Sequence, residues 1–554
     1  MKKILLFTAI TAVILMALLR GDARSDQPPR AFLLNMYHFN IQYVVGSEAS
    51  MRRIIKQSFE PLVDFYLAHP GWGADFEMQG AMIEYMGESH PQVLEKFKQL
   101  VNSGQAELVT FHYGDQLLLA FPRHDQEWSL KINDKLLQKY GVKRSGVIFT
   151  QEAQFGEGFG PVGTEHGYDV AVMTTGTYNW FQDDDRFPYF TVNGIDVLTN
   201  KEATEPGTGI KVKWHFVGDG ELVATAGISP YFPGLFRKNA AKLKLLEKQF
   251  QAAEKDGYKI AKVSEYVSAL REAGVKPGAL KPMLDSPWRP EDGSGVFQWM
   301  GKYATKWETD YDTRTKNWLT RDLLVEAERA GAQEPVLEEG WRHMINAEVS
   351  DPTGWYPFPV EVKFDYDEME AVRETLQNSA GLDLKAMEAK AAARPETGEV
   401  VDTAPVAIRK FGTAQGAAVS WHKLASVPGA YVVEASWSGK GSGGLAFPWT
   451  AEMVEYSPAL MEDTVRRIAV KDLKGKNIHV ALTNGLIGLG NDAYLVRDNA
   501  AGYVAAGLYF DRREIIFEVQ NGKEDHYAFR FYLLTSSSPD AALKLADQVN
   551  DVAP

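Results

Sequence analysis

The amino-acid sequence predicts an α/β protein that ends in an all-β sandwich, and three observations carry that expectation. From Arg30 to Val263, short apolar runs alternate with amphipathic stretches; past Pro290 the chain turns to long stretches of helical spacing; beyond Thr403 come short alternating runs divided by Gly, Asn and Asp turns. The first pattern builds βα units and a largely parallel sheet or barrel, and the last is the signature of a sandwich.

Taken in order, Ala31–Asn35 reads as a strand, Ser50–Tyr66 as a helix, Gln105–Thr110 as a strand and Trp128–Tyr140 as a helix. Gly146–Phe149 and Asp169–Met173 read as strands, Leu235–Gly257 as a long helix, and Lys259–Val263 as a late strand before a helix opening at Ser264-Glu265. Trp307, Trp318, Leu323 and Leu324 fall on helical spacing within Thr305–Ala330, and Val336–Val349 repeats that spacing. Arg394–Thr403, with Pro395 and Gly398, reads as a linker. Tyr431–Trp437, Ile478–Leu482, Ile515–Val519 and Tyr527–Leu533 then alternate as sandwich strands do.

At 554 residues the chain is too long for one ordinary core. A net charge of −14 argues against nucleic acid or an anionic membrane as partner, since both require clustered Lys and Arg. There is no cysteine, which removes disulfides, thiolate metal sites and a cysteine nucleophile from consideration. Lys2-Lys3, the apolar run Ile4–Leu19 and Gly21-Asp-Ala23 compose a secretory signal over residues 1–23, so a periplasmic or secreted protein is expected, with no membrane attachment after cleavage.

Four stretches put polar residues where strands should end. The first, Tyr37–Tyr43, offers His38, Asn40 and Gln42; the second, Glu107–Gln116, offers His112, Tyr113 and Asp115. The third, Thr150–Gly160, carries Glu152 and Glu157 among glycines, and the fourth, Lys211–Glu221, runs into Asp219 and Glu221. Each alone is compatible with a structural histidine or an acidic turn. Their order is informative, because all four fall at the same end of successive βα units, where barrel enzymes collect catalytic groups. Two separate carboxylates, Glu152 and Asp219, are the minimum equipment for glycoside hydrolysis: one attacks the anomeric carbon and the other protonates the leaving oxygen.

The order of these stretches resembles glycoside hydrolase family 57, within the group of (β/α)7-barrel enzymes that also holds the family 38 α-mannosidases. Tyr37-His38 to Gln42 is similar to that family's first motif, without its Pro; Gly104–Thr110 leading to His112 resembles the second. Gly146–Glu152 resembles the third, in which a strand ends at the nucleophilic Glu, without the flanking Trp. Gly218-Asp-Gly-Glu221 resembles the fourth, whose Asp is the general acid/base, and Val263–Tyr266 the fifth. Asn346–Asp351, before Trp355, resembles the helical end that closes the sugar site.

The resemblance covers roughly Arg30–Pro359. It implies an irregular (β/α)7-barrel catalytic domain over residues 30–290; residues 291–393 are then expected as a helical segment packed on it, and the alternating runs place the β-sandwich domain over 404–554. It implies a retaining hydrolase of an oligo- or polysaccharide, at α-linkages, with Glu152 as nucleophile and Asp219 as acid/base. Their carboxyl groups are then expected about 5–5.5 Å apart. His38, Gln42, His112, Asp115, Glu157, Glu221, Asp351 and Trp355 are the expected substrate contacts, with Glu221 the fallback acid. No cofactor is expected. The family 38 metal motif His-x-Asp is replaced by His38-Phe-Asn40, so no catalytic zinc is expected either. A transglycosylase, or a silent carbohydrate-binding relative, are the alternatives.

Overall fold

The computed structural model describes residues 30–40, 48–182, 184–226, 237–287, 299–300, 310–354, 358–473, 477–522 and 526–552. Its first part is a curved wall of parallel strands. β1 (Ala31–Phe39) pairs with β2 (Ala74–Met78), which pairs with β3 (Ala106–Val109). A parallel bridge from Leu108 to Arg144 carries the wall on to β4 (Val147–Ile148) and β5 (Val170–Met173). The hairpin of β6 (Tyr189–Val192) and β7 (Ile195–Thr199) follows, with β7 parallel to β5. Its two-residue turn is Asn193-Gly194, both at positive φ (45° and 91°), the conformation that matches strand twist in a tight hairpin. The short β8 (Ala203–Thr204) leads into β9 (Lys211–Val217), which returns to the other edge of β1. Lys259–Ala261 pairs with the first half of β1.

Period-two alternation sorts side chains onto the two faces of this wall. Leu34 and Met36, Val109, Val147, Val172 and Val212 fill the inside, whereas Tyr37, Phe39, Phe76, Met78 and Leu108 pack outward beneath the helices. β2 departs from the rule that buried parallel strands are apolar throughout. Its inward positions are Asp75 and Glu77, both with 0% exposure.

The structure corrects the sequence reading in three places. β1 continues to Phe39, so His38 lies within the strand and not after it. Residues 397–400 of the expected linker form a strand, Thr397–Val400, that pairs with Ala418–Leu424. β2 adds a strand where the sequence shows no apolar run, because its Asp and Glu interrupt one.

Helices Asp310–Arg329 and Glu334–Ala347 pack on the barrel, joined by Pro359–Gln377. Two buried arginines tie this segment down. Arg321 Nε meets Asp125 at 2.7 Å on the helix Arg123–Tyr140, and Arg314 donates to the carbonyls of Trp299 (2.8 Å) and Val349 (2.6 Å). The second part is a sandwich of an eight-stranded and a five-stranded antiparallel sheet. Their inner faces meet through Phe531, whose ring lies 5.1 Å from Phe447 and 4.8 Å from Phe517. No helix among the described residues is long and apolar enough to cross a membrane.

Candidate active site

The carboxyl ends of β1, β2, β3, β4 and β9 converge, and the polar residues there form one connected group. His38 hydrogen-bonds Glu77 through Nδ1. Glu77 Oε1 lies 3.5 Å from His112 Nε2, and His112 Nδ1 lies 3.6 Å from Asp115 Oδ1. The Gln79 amide donates to Asp115 and, at 3.4 Å, to Asn40 Oδ1. Asn40 N–H donates to Glu221 Oε1 at 2.6 Å. That close approach explains Gly220: a Cβ there would stand 2.6 Å from the His38 carbonyl oxygen, so only glycine lets the β9 loop lie this close to β1.

Glu152 sits just past β4 in a short turn, Gln151–Ala153, with a φ of +55°. A left-handed backbone costs a non-glycine residue roughly 1–2 kcal/mol, so the surrounding contacts must hold it. The turn is held from both sides. Gln154 accepts from Leu119 N–H at 3.0 Å and donates to the carbonyls of Gln116 (3.0 Å) and Gln151 (2.9 Å). Ser350 Oγ, just past the helix Glu334–Ala347, hydrogen-bonds Glu152 Oε1 at 3.0 Å. The same turn delivers Asp351, whose carboxyl is bonded by Ser350 and by the Asn40 side chain.

The electrostatics of the group are those of crowded carboxyls around one cation. Burial and the neighbouring charge of Asp351 push Glu152 up to about 8, with Asp219 adding to the rise and Ser350 and His38 opposing it. Burial pushes Glu221 up to about 8 and Asp351 up to about 7, again with Asp219 adding to the rise and His38 opposing it. For His38, burial is the largest influence and opposes charging. Glu77, Asp115 and Glu221 together outweigh it and raise the imidazolium to about 10. His112 is pushed down to about 3 by burial and by the charge on His38, so it is neutral. The pair thus divides into a charged histidine facing the carboxyls and a neutral one behind it.

The expected site residues fall into four sets. Glu152, Asp219, His38, Glu221 and Asp351 act on one another through their charges; Asp219 is the exposed member. His112 and Asp115 are fully buried behind them and reach the group through Glu77 and Gln79. Glu157 is turned away: its carboxylate pairs with Arg466 of the sandwich at 2.5 Å. Gln42 and Trp355 lie outside the described residues. Glu77, Gln79 and Ser350 were not read from the sequence. The available signal for the first two was the alternation Asp75-Phe-Glu-Met-Gln79, which puts Glu77 on one face of a strand. Ser350 lies within the stretch Asn346–Asp351, where only its neighbour Asp351 was singled out. Glu77, His112 and Asp115 could each offer one ligand atom to a cation, all within 4.8 Å of one another, although His38 and Gln79 already engage the two carboxylates.

Residues 34–220, which span four of the five converging strands whole and all but the first residues of β1, match glycosyl hydrolase family 57. An alpha-amylase of Pyrococcus horikoshii is 22% identical over 164 residues, 29% of this chain and 25% of that relative. A 4-alpha-glucanotransferase of Thermococcus litoralis is 22% identical over 148 residues, 26% of this chain and 22% of that relative. The matches thus span about a quarter of the length of these curated relatives. An alpha-mannosidase structure from Enterococcus faecalis superposes with a TM-score of 0.59 at 8% identity, over 95% of this chain and 89% of that one, which shows a shared fold. The segment that holds His38, Glu152 and Asp219 together is thus similar to glycosyl hydrolase family 57, and it sits in a mixed α/β barrel followed by antiparallel C-terminal sheets.

Proposed function

We propose that the protein is an exported, retaining glycoside hydrolase that cleaves an oligo- or polysaccharide at α-linkages, with Glu152 as nucleophile and Asp219 as acid/base. The observation that carries the reading is the setting of Glu152. It is a carboxyl in a left-handed turn at a strand end, held by Ser350, with the charges of Asp219 and His38 acting on it. Glu152 attacks the anomeric carbon as the glycosidic C–O bond breaks, while Asp219 delivers its proton to the leaving oxygen. Asp219 then takes a proton from water, whose oxygen displaces Glu152 and regenerates the carboxylate. Exposure suits Asp219 to exchanging protons with an incoming acceptor, and His38, kept charged, favours the ionised form of Glu152.

The α-linkage follows the names of the amylase and glucanotransferase relatives. The glucanotransferase also supports a second reading, in which a sugar hydroxyl replaces water as acceptor. Purified protein is to be tested against aryl glycosides of both anomers and against maltoheptaose. Release of the aryl group from α-glycosides, lost in Glu152→Gln, is the expected result. Oligosaccharides longer than maltoheptaose among the products would select the transferase. No turnover on any of the panel would overturn both readings. Export rests on residues 1–23, and a mature chain beginning near Arg24 is what N-terminal sequencing should find.

A further inference from the structure

Ser350 stands between two carboxyls. Its Oγ lies 3.0 Å from Glu152 Oε1 and 3.3 Å from Asp351 Oδ1, and Gln151 Nε2 donates to it at 3.2 Å. The side chain is fully buried, so water does not compete for these bonds. A hydroxyl has one proton and two acceptor positions. The Gln151 amide can only donate here and fills an acceptor position, which leaves the hydroxyl proton to be shared between the two carboxyls.

The turn that carries Ser350 is fixed. Thr353 N–H donates to the Ser350 carbonyl at 3.0 Å, and the buried Arg314 clamps the Val349 carbonyl at 2.6 Å and Thr353 Oγ1 at 2.7 Å. Oγ therefore keeps its place while its proton can turn. A carboxylate is a stronger acceptor than an ester oxygen, roughly by the factor of two that separates charge-assisted from neutral hydrogen bonds.

We propose that Ser350 is a positioning residue for the nucleophile: its hydroxyl donates to Glu152 while that carboxylate is free and turns to Asp351 once Glu152 carries the glycosyl group. The proposal rests on the assignment of Glu152 as nucleophile. Donation holds Glu152 Oε1 in place and favours its ionised form, against the opposing charges of Asp351 and Asp219 and alongside that of His38. In the glycosyl ester Glu152 has lost its charge. Asp351 is then the better acceptor, and the ester forgoes a stabilising donor, which speeds its hydrolysis.

The test reads Glu152 itself. In the full-length chain labelled with [δ-13C]glutamate, the Glu152 resonance is identified by its absence in Glu152→Gln and titrated in wild type, Ser350→Ala and Ser350→Cys. The midpoint should rise by about one pH unit in Ser350→Ala, the loss of one hydrogen bond to a charged group. Ser350→Cys, which keeps a weak donor and the fold, should fall between. On the aryl α-glycoside that wild type cleaves best, kcat should drop about tenfold or more with KM nearly constant, and the acid limb of kcat/KM should move with the NMR midpoint. An unmoved midpoint in both variants overturns the role of Ser350, whatever happens to the melting temperature. A midpoint that moves in a wild-type background that cleaves no glycoside overturns the nucleophile assignment instead.

Discussion

The two ends of the same barrel bury carboxyls in different ways. At the floor, Asp75 and Glu107 face Lys262, whose Nζ is 3.1 Å from Glu107 Oε1. Asp75 Oδ2 accepts the Val263 N–H at 2.8 Å, and Ser264 donates to Glu107. Their partners come from one short stretch, Lys262–Ser264, where the helix Val263–Glu272 begins with N–H groups that have no partner within the helix and with its positive dipole end. At the mouth, the carboxyls of Glu77, Asp115, Glu152, Glu221 and Asp351 come from five segments and share one charged histidine, His38. Raised pKa is common to both ends, since burial and the neighbouring Glu107 hold Asp75 well above its ordinary value. What differs is origin: the floor draws its partners from one short stretch, whereas the mouth is assembled from distant loops, as barrel enzymes assemble their catalytic groups.

Breaking the mouth should cost activity and spare the fold. Glu152→Gln is expected to lower turnover by at least about a thousandfold, the usual result of removing a nucleophile. Because the amide mimics the protonated carboxyl, its melting temperature at pH 8 should equal or exceed that of wild type by a few degrees. Activity within about tenfold of wild type would remove Glu152 from the mechanism.

Asp219→Asn comes next. General acid–base catalysis contributes about 10²–10⁴-fold, and the loss should shrink on aryl glycosides whose leaving groups need no proton. A uniform loss across leaving groups would shift the acid role to Glu221.

At the floor the signature reverses. Lys262→Met leaves the buried Asp75 and the part-buried Glu107 without their cation and should destabilise the protein by about 3 kcal/mol, read as a shift of the urea midpoint. The kcat of the folded fraction should stay within about twofold. Loss of kcat without loss of stability would mean that the floor communicates with the mouth.

pH should pull the two properties apart. Glu152 and Glu221 are raised to about 8, Asp351 to about 7 and His38 to about 10, so each holds its proton longer in the folded state than in the unfolded chain. Their contribution to stability is fully present below the ordinary values, about 4 for the carboxyls and about 6.5 for histidine. It is lost as pH rises through 7–8 and, for His38, toward 10. Activity should move the other way, climbing toward pH 8 as Glu152 ionises. A Glu152→Gln variant whose melting temperature keeps the full wild-type pH slope would show that Glu152 does not contribute to it.

The smallest effect is expected at the seam between barrel and sandwich. Arg466→Ala removes the partner of Glu157 in a partly exposed pair, for which about 0–1 kcal/mol is usual. The kcat should hold within about twofold. A larger fall would return Glu157 to the list of groups that touch substrate.

Much of this was legible in the sequence. Period-two runs and helical spacing located β3, β4, β5 and four of the sandwich strands to within about three residues, because burial on one face imprints directly on the order of residues. The loops that carry Glu152 and Asp219 were readable for the same reason: strand ends in a βα series share one mouth. What the sequence could not show is which polar residues meet. β2 hid from an apolar search because its inward face is Asp75 and Glu77, and only closure of the wall gives those charges their partners, Lys262 at one end and His38 at the other. Glu157 and Glu152 are spelled alike, five residues apart in one glycine-rich loop. The fold alone sends one to the sandwich and the other to Ser350, whose own role depends on a contact across 198 positions of sequence. Local patterns report burial, which is a property of one segment; hydrogen bonds and pKa shifts belong to pairs, and pairs exist only once the chain has folded.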